Sequence, residues 1–258
     1  MEPPISATLY AVLLALGMPL LIEVGRWIAR RRRSNESDGE RSNLGALEGA
    51  IFALFGLLIA FTFSGSANRF NEKRMLISEE VNSIETAYLR TELLPEPAQG
   101  EIQDLFRQYV NSRLETYHRL PDMKAAGVEM EKSKHLQDEM WMHAVSSTQL
   151  KDSHPDAGKL LLPALNTMID MATTRTMALQ NHPPRITFAL LFGMALICSL
   201  LAGYRTALGT RSWLHIFCFT MSTVIIVYVM LHVEYPRAGL IRLDAADQLM
   251  HDALQHMK

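Results

Sequence analysis

The sequence is poor in the residue patterns that build most chemical sites. It has two cysteines, Cys198 and Cys218, no CxxC pair and no Cys/His cluster, which sets aside a structural zinc site and a disulfide framework. It has no phosphate-cradling glycine loop, no GxSxG and no HExxH, and the chemistries those motifs serve go with them. No stretch alternates apolar and polar residues as a half-buried strand does. Net charge is nearly absent too: 25 basic against 27 acidic residues give −2 at neutral pH. Nor does a basic segment precede the first apolar run, because Met1–Pro4 carries one acid and no base. That run is therefore expected to stay as an anchor rather than to be cleaved as a secretory signal.

What the chain does have is charge-free sequence. Four runs, Pro3–Ile22, Gly49–Asn68, Ile186–Tyr204 and Ser212–Val233, hold no Asp, Glu, Lys or Arg. About 20 apolar residues in a helix cross roughly 30 Å of hydrocarbon, and a soluble globule rarely holds four such runs. The near-neutral mean hydropathy of +0.05 averages these runs with Ser66–Pro184, which carries 13 basic and 17 acidic side chains. The pattern predicts an all-α, polytopic membrane protein and excludes a soluble enzyme, a nucleic-acid binder and a disordered chain. Its expected parts are a first anchor with a basic loop (1–43), a second transmembrane helix (44–65), a helical extramembrane domain (66–184), the third and fourth transmembrane helices (185–233) and a C-terminal tail (234–258). Both cysteines fall inside spans, where small apolar packing is their expected role.

Short-loop arginines set the expected orientation. The loop after the first run has Arg26, Arg30–Arg33 and Arg41, and the loop after the third has Arg205 and Arg211 with no acid. The opposite face has a base-free N-terminus and a tail with three bases against four acids. This places the basic loops in the cytoplasm and the middle domain outside it.

The middle segment reads as helical throughout. From Leu44 to Leu94 there is no proline, and beyond the apolar run Phe70, Ile77, Val81, Ile84 and Tyr88 recur at helical spacing. Pro95 and Pro97 end that helix. A second run puts Ile102, Leu105, Phe106, Tyr109 and Tyr117 on one side, and a weaker third reaches from Pro121 through Trp141 to Leu150. Asp152-Ser153-His154-Pro155-Asp156 predicts a capped helix start. The helix that follows carries Leu161, Leu165, Met168, Ile169, Ala172 and Leu179, with Pro163 either kinking it or marking its first turn.

Candidate functional residues are few. Gly45, Gly49, Ala53, Gly56 and Ala60 give the second span small-xxx-small spacing that permits close helix approach. Ala53, Leu57 and Phe61, four apart, would stack as an apolar constriction if this helix lined an oligomer axis, and such a constriction gates by dewetting. Just beyond come Asn68, Arg69, Lys73 and Arg74, bases that could attract anions at the mouth of the span. No metal or other cofactor is expected; the nearest approach to a metal site is His135, Glu139 and His143 at i, i+4, i+8, a spacing that also suits a solvated face. Asn166, Asp170 and Arg175 line one side of the last helix before the third span, as local bundle polarity.

The stretch Phe61-Thr-Phe-Ser-Gly-Ser-Ala-Asn68-Arg69-Phe70-Asn-Glu72-Lys-Arg74, continuing to Glu80-Val81-Asn82-Ser83, resembles the second span of bestrophin channels. Arg175 followed by Pro183-Pro184, and Val233-Glu234-Tyr235-Pro236-Arg237-Ala238-Gly239, are similar to bestrophin elements flanking the last two spans. The chain more closely resembles the bestrophin-like bacterial membrane proteins, over most of Leu44–Leu254. The resemblance implies a pentameric, anion-conducting homo-oligomer in a bacterial inner membrane with the second span around the pore. Its partners would be the lipid bilayer and inorganic anions. Three departures stand out: Ala53 is not bulky, the acidic calcium clasp of animal bestrophins is absent, and Phe70 stands where they have tryptophan. Bestrophins also keep the middle domain in the cytoplasm, opposite to the orientation the arginines give here. The alternative expectation is a non-conducting scaffold or sensor whose helical bundle binds a partner.

Overall fold

The computed structural model describes residues 5–32, 38–120, 122–207, 211–236 and 244–257. Among them every regular element is helical: α1 (Ile5–Arg32), α2 (Asp38–Leu89), α3 (Glu96–His118), α4 (Met123–Ser147), α5 (Ala157–Gln180), α6 (Arg185–Arg205), α7 (Trp213–Glu234) and α8 (Asp244–His256), with a 3-10 turn at Arg90–Leu93 after α2. Among the described residues, four helical segments are long and apolar enough to cross a membrane. The chain divides into two compact units, one holding residues up to Asn68 with His182–Tyr235, the other Arg69–Asn181 with the segment from Pro236 onward.

In the apolar unit, α1 buries Ala7, Ala11, Leu14, Met18, Ile22, Gly25, Arg26 and Ala29, the three-and-four spacing of a single helix face. It runs unbroken through Pro19. Its partner is α6, and the two backbones touch: a Cβ on Gly25 would lie 2.1 Å from the Leu200 carbonyl oxygen, and one on Gly203 2.0 Å from that of Ile22. Leu14, Met18, Phe55, Leu191, Ala195, Cys198, Val227 and Met230 form the core that joins α1, α2, α6 and α7. Cys198 is buried there, whereas Cys218 is exposed on α7.

In the polar unit, Val81, Ile84, Ile102, Phe106, Tyr109, Met140, Leu161, Leu165 and Met168 make the core, and Met250, Ala253 and Met257 from the C-terminal segment join it. Each buried Val, Ile, Leu, Phe or Met side chain here contributes about 1.5–3 kcal/mol by leaving water. Polar ties orient α3 against α4: the Ser112 and Ser133 hydroxyls meet at 2.9 Å, and Gln137 donates to the Tyr109 hydroxyl at 3.1 Å. Arg107 donates to the Met257 carbonyl at 2.7 Å, holding the chain after α8 to α3.

Local boundaries differ in detail from expectation. The long helix begins at Asp38 and ends at Leu89, because Leu94 is drawn into an extended conformation ahead of Pro95. The Asp122 carboxylate caps α4 by accepting from the amides of Lys124 and Ala125. The capped start expected at Asp152–Asp156 is different: the Asp156 side chain makes no cap bond, and its amide instead donates to His154 Nδ1 at 3.2 Å. Pro163 lies inside α5, not at its start.

Candidate functional site

The apolar run of α2 has two unlike faces. Glu48, Phe55, Thr62 and Ser66 are buried, and the Thr62 hydroxyl donates a hydrogen bond to the Leu58 carbonyl at 2.7 Å. The line Ala53, Leu57, Phe61, Ser64 and Asn68 is exposed, with Leu57 at 50% and Phe61 at 68%. Nothing lies within 4 Å of a Cβ built at Gly49 or Gly56. Of the four apolar segments this one is the least covered by its own chain: 17% of its apolar window is buried, against 28%, 28% and 39% for the others. Beside it an open, wholly apolar groove of about 320 Å³ is lined by Ile59, Ala60 and Phe63 with Ile225, Ile226 and Val229.

The basic residues further along α2 do not behave alike. Arg74 is exposed, Arg69 is half-buried and Lys73 is buried, and both Arg69 and Lys73 are engaged with partners.

A buried polar cluster lies in the bundle, three turns past the apolar run. The Glu80 carboxylate accepts from Arg113 Nε of α3 at 2.7 Å and pairs with Arg175 of α5. All three side chains are almost fully buried. The Arg175 guanidinium lies 3.7 Å from the centre of the Tyr117 ring, and the Tyr117 hydroxyl accepts from Arg113 at 2.5 Å. Burial alone raises the Glu80 carboxyl, but the charges of Arg113 and Arg175 outweigh it and hold it below its ordinary value. Tyr109, buried beside this cluster, is pushed upward by burial and stays neutral.

Arg175 thus leaves the polar set in which spacing had placed it. Asn166 and Asp170 do bond to each other, at 3.1 Å on the surface, whereas Arg175 faces the core. A usable signal was present: Glu80, Arg113 and Arg175 each occupy a position on an apolar stripe, between Ile77 and Ile84, between Tyr109 and Tyr117, and three residues after Ala172.

His135, Glu139 and His143 do not form one ligand set. His135 pairs with Glu139 at 3.4 Å, but His143 turns to Glu101 of α3 at 3.5 Å. Among the described residues no three His, Cys, Asp or Glu side chains converge as metal ligands. In the apolar unit His182 Nδ1 lies 3.1 Å from the fully buried Glu234 carboxylate, with the Tyr235 ring 4.5 Å from its own. That contact ties the start of α6 to the end of α7.

These features define a multi-pass α-helical membrane protein whose spans are joined to a helical bundle. Residues 13–247 match the Bestrophin-like domain family, and the chain belongs to that family. Its fold is also that of solved bacterial bestrophin homologues. One variant from Klebsiella pneumoniae has 16% identity, with 96% of this chain and 99% of the other covered and a TM-score of 0.62. A second variant has 14% identity, 97% and 98% coverage and a TM-score of 0.64. No curated protein matches the sequence.

Proposed function

We propose that this chain assembles into a homo-oligomeric anion channel, a pentamer with α2 around the axis, in a bacterial inner membrane. The observation that carries the reading is the uncovered face of α2. Ala53, Leu57 and Phe61 follow one line that turns polar at Ser64 and Asn68, as a pore wall does where an apolar constriction opens into a wetted vestibule. The small residues Gly49, Gly56 and Ala60 leave room for a second copy to approach. Asn68, Arg69 and Arg74 follow as residues suited to drawing inorganic anions toward the opening. The arginine-rich loops support a cytoplasmic position for themselves and an extracytoplasmic one for the bundle.

The test is anion flux in liposomes by the full chain, with Leu57→Ala and Phe61→Ala compared after their oligomers are matched by size. Shortening an apolar constriction lowers its dewetting barrier, so both variants should conduct more. Silence from well-formed oligomers of all three proteins would remove the channel reading. The scaffold reading has one observation of its own, an open groove of about 410 Å³ between α2 and α5, lined by Asn82, Thr86, Arg90, Pro163 and Thr167 among others. A monomer with no flux and a partner seated on that groove would favour it.

A further inference from the structure

We infer that the basic end of the apolar unit holds an anionic glycerophospholipid, its phosphate taken by Arg31 and Arg211 and its acyl chains laid along the exposed leucines of α1 and α7. Conduction is not needed for this inference; it rests on contacts of the end of α6 and the start of α7 with α1 and α2, and on two arginine–tryptophan stacks.

Those contacts are specific. Arg211, just before α7, pairs with Glu23 of α1 at 2.9 Å. Arg205, ending α6, pairs with Glu48 of α2 at 3.7 Å. The end of α1 also meets the end of α6, where Gly25 packs on Leu200 and Tyr204. Onto this platform two arginine–tryptophan stacks are built. The Arg31 guanidinium carbon is 3.9 Å from the Trp27 ring centre, and that of Arg211 is 3.8 Å from the Trp213 ring centre. Glu23, Trp27 and Arg31 are four apart on one face of α1, so the Glu23–Arg211 bridge holds Arg211 on the face of α1 that carries the Trp27–Arg31 stack, one turn before Trp27.

Both tryptophans are exposed, at 54% and 62%, although large aromatic rings ordinarily bury in a core. An exposed tryptophan at the end of an apolar helix suits the headgroup level of a bilayer, where its apolar ring and polar N–H are both accommodated. A guanidinium held flat on that ring turns its N–H edge outward, the bidentate geometry that suits a phosphate; at Arg211 one end of that edge, Nη2, is already given to Glu23. Arg30 is also exposed here. Among the described residues, Glu23 and Glu48 each face one member of the set Arg30, Arg31, Arg205 and Arg211, which leaves that set a net charge of +2.

The apolar surface beyond the stacks names the rest of the ligand. On α1 the exposed Leu13, Leu16 and Leu20 lead to Trp27 by steps of three, four and seven, a single track along the helix. On α7, Phe217 follows Trp213 by a step of four, with the exposed Leu214 on the adjoining side. A free inorganic anion would have no use for these tracks, whereas a phospholipid fills headgroup site and tracks together.

Fluorescence in nanodiscs tests this. With Trp141→Phe in the full chain, only Trp27 and Trp213 of its three tryptophans remain. Phosphatidylcholine discs carry an equal minor fraction of brominated phosphatidylglycerol or brominated phosphatidylcholine. The expected result is stronger quenching by the glycerol lipid, with each of Arg31→Gln and Arg211→Gln lowering that preference about fivefold, the equivalent of ~1 kcal/mol per basic side chain near an anionic surface. Elution volume and helix content verify that the variants fold, and Arg31→Lys, which keeps the charge but not the fork, should retain part of the preference. Equal quenching by the two lipids would overturn the inference. So would relief of the quenching by added inorganic phosphate, which would assign the arginines to a free anion.

Discussion

Arg113 of α3 stands 2.7 Å from Glu80 of α2, with 4% and 0% of their side-chain surfaces exposed, and the same carboxylate also takes Arg175 of α5. Three helices therefore converge on one buried anion. Two guanidiniums share it, and Tyr117 supports both, through its hydroxyl and its ring face.

Glu80→Gln should consequently be among the most damaging substitutions in the bundle. It leaves two buried cations facing each other, and removing one partner of a buried ion pair costs about 3–5 kcal/mol. Replacing all three groups by apolar residues, as in Glu80→Leu with Arg113→Met and Arg175→Met, should cost far less, because no charge is stranded. Thermal unfolding in detergent measures both. A single Glu80→Gln melting like the parent would show that the cluster contributes little.

The same carboxylate sets an acid limit on the bundle. Its folded-state pKa lies below the ordinary 4.5, so its contribution is complete above that pH and is lost as pH falls through the lowered folded value. Stability should drop below about pH 4.5, and Glu80→Gln should flatten that part of the profile. The measurement is the melting temperature against pH for the two proteins. Parallel acid limbs would place the acid sensitivity elsewhere.

The spans and most of the bundle were legible because they rest on local arithmetic: charge-free runs of membrane length, and apolar stripes such as Ile77, Val81 and Ile84. Proline placed the break after α2 to within a few residues. What could not be read were relations across distance. Arg175 and Glu80 are 95 residues apart, and spacing alone joined Arg175 to Asn166 and Asp170 on its own helix. The docking of Met250, Ala253 and Met257 into the bundle core likewise depends on a groove that no local pattern describes. For the exposed line of α2 the sequence supplied the spacing, while its lack of cover within one chain required the packing of α1, α6 and α7.

Glycine separates two kinds of small-residue position. A side chain at Gly25 or Gly203 would meet backbone at 2.1 and 2.0 Å, and backbone cannot swing aside as a side-chain end can. Gly203→Val should cost at least the ~1–3 kcal/mol of overpacking and lower the melting temperature of the apolar unit. Gly49 and Gly56 have nothing within 4 Å, so Gly49→Leu and Gly56→Leu should leave the single chain's fold within about 0.5 kcal/mol. If α2 meets a second copy, the same two changes should instead shift the oligomer distribution, read by native mass spectrometry beside the melting curve. Variants at Gly49 and Gly56 that keep both the fold and the oligomer would argue against close helix approach along that face.

Sidedness is testable because the two cysteines are easily controlled, Cys198 being buried and Cys218 exposed. In a Cys218→Ser background, Asn35→Cys reports on the basic loop, which lies outside the described residues, and Glu131→Cys reports on α4, where the side chain is 72% exposed. The arginines after the first and third spans predict that a membrane-impermeant maleimide added to intact cells labels Glu131→Cys and spares Asn35→Cys. Long polar segments count little in that rule, so the prediction stands on Arg26, Arg30–Arg33, Arg205 and Arg211 alone. Labelling of Asn35→Cys but not of Glu131→Cys would put the bundle in the cytoplasm. It would also move the arginine–tryptophan stacks to the outer leaflet.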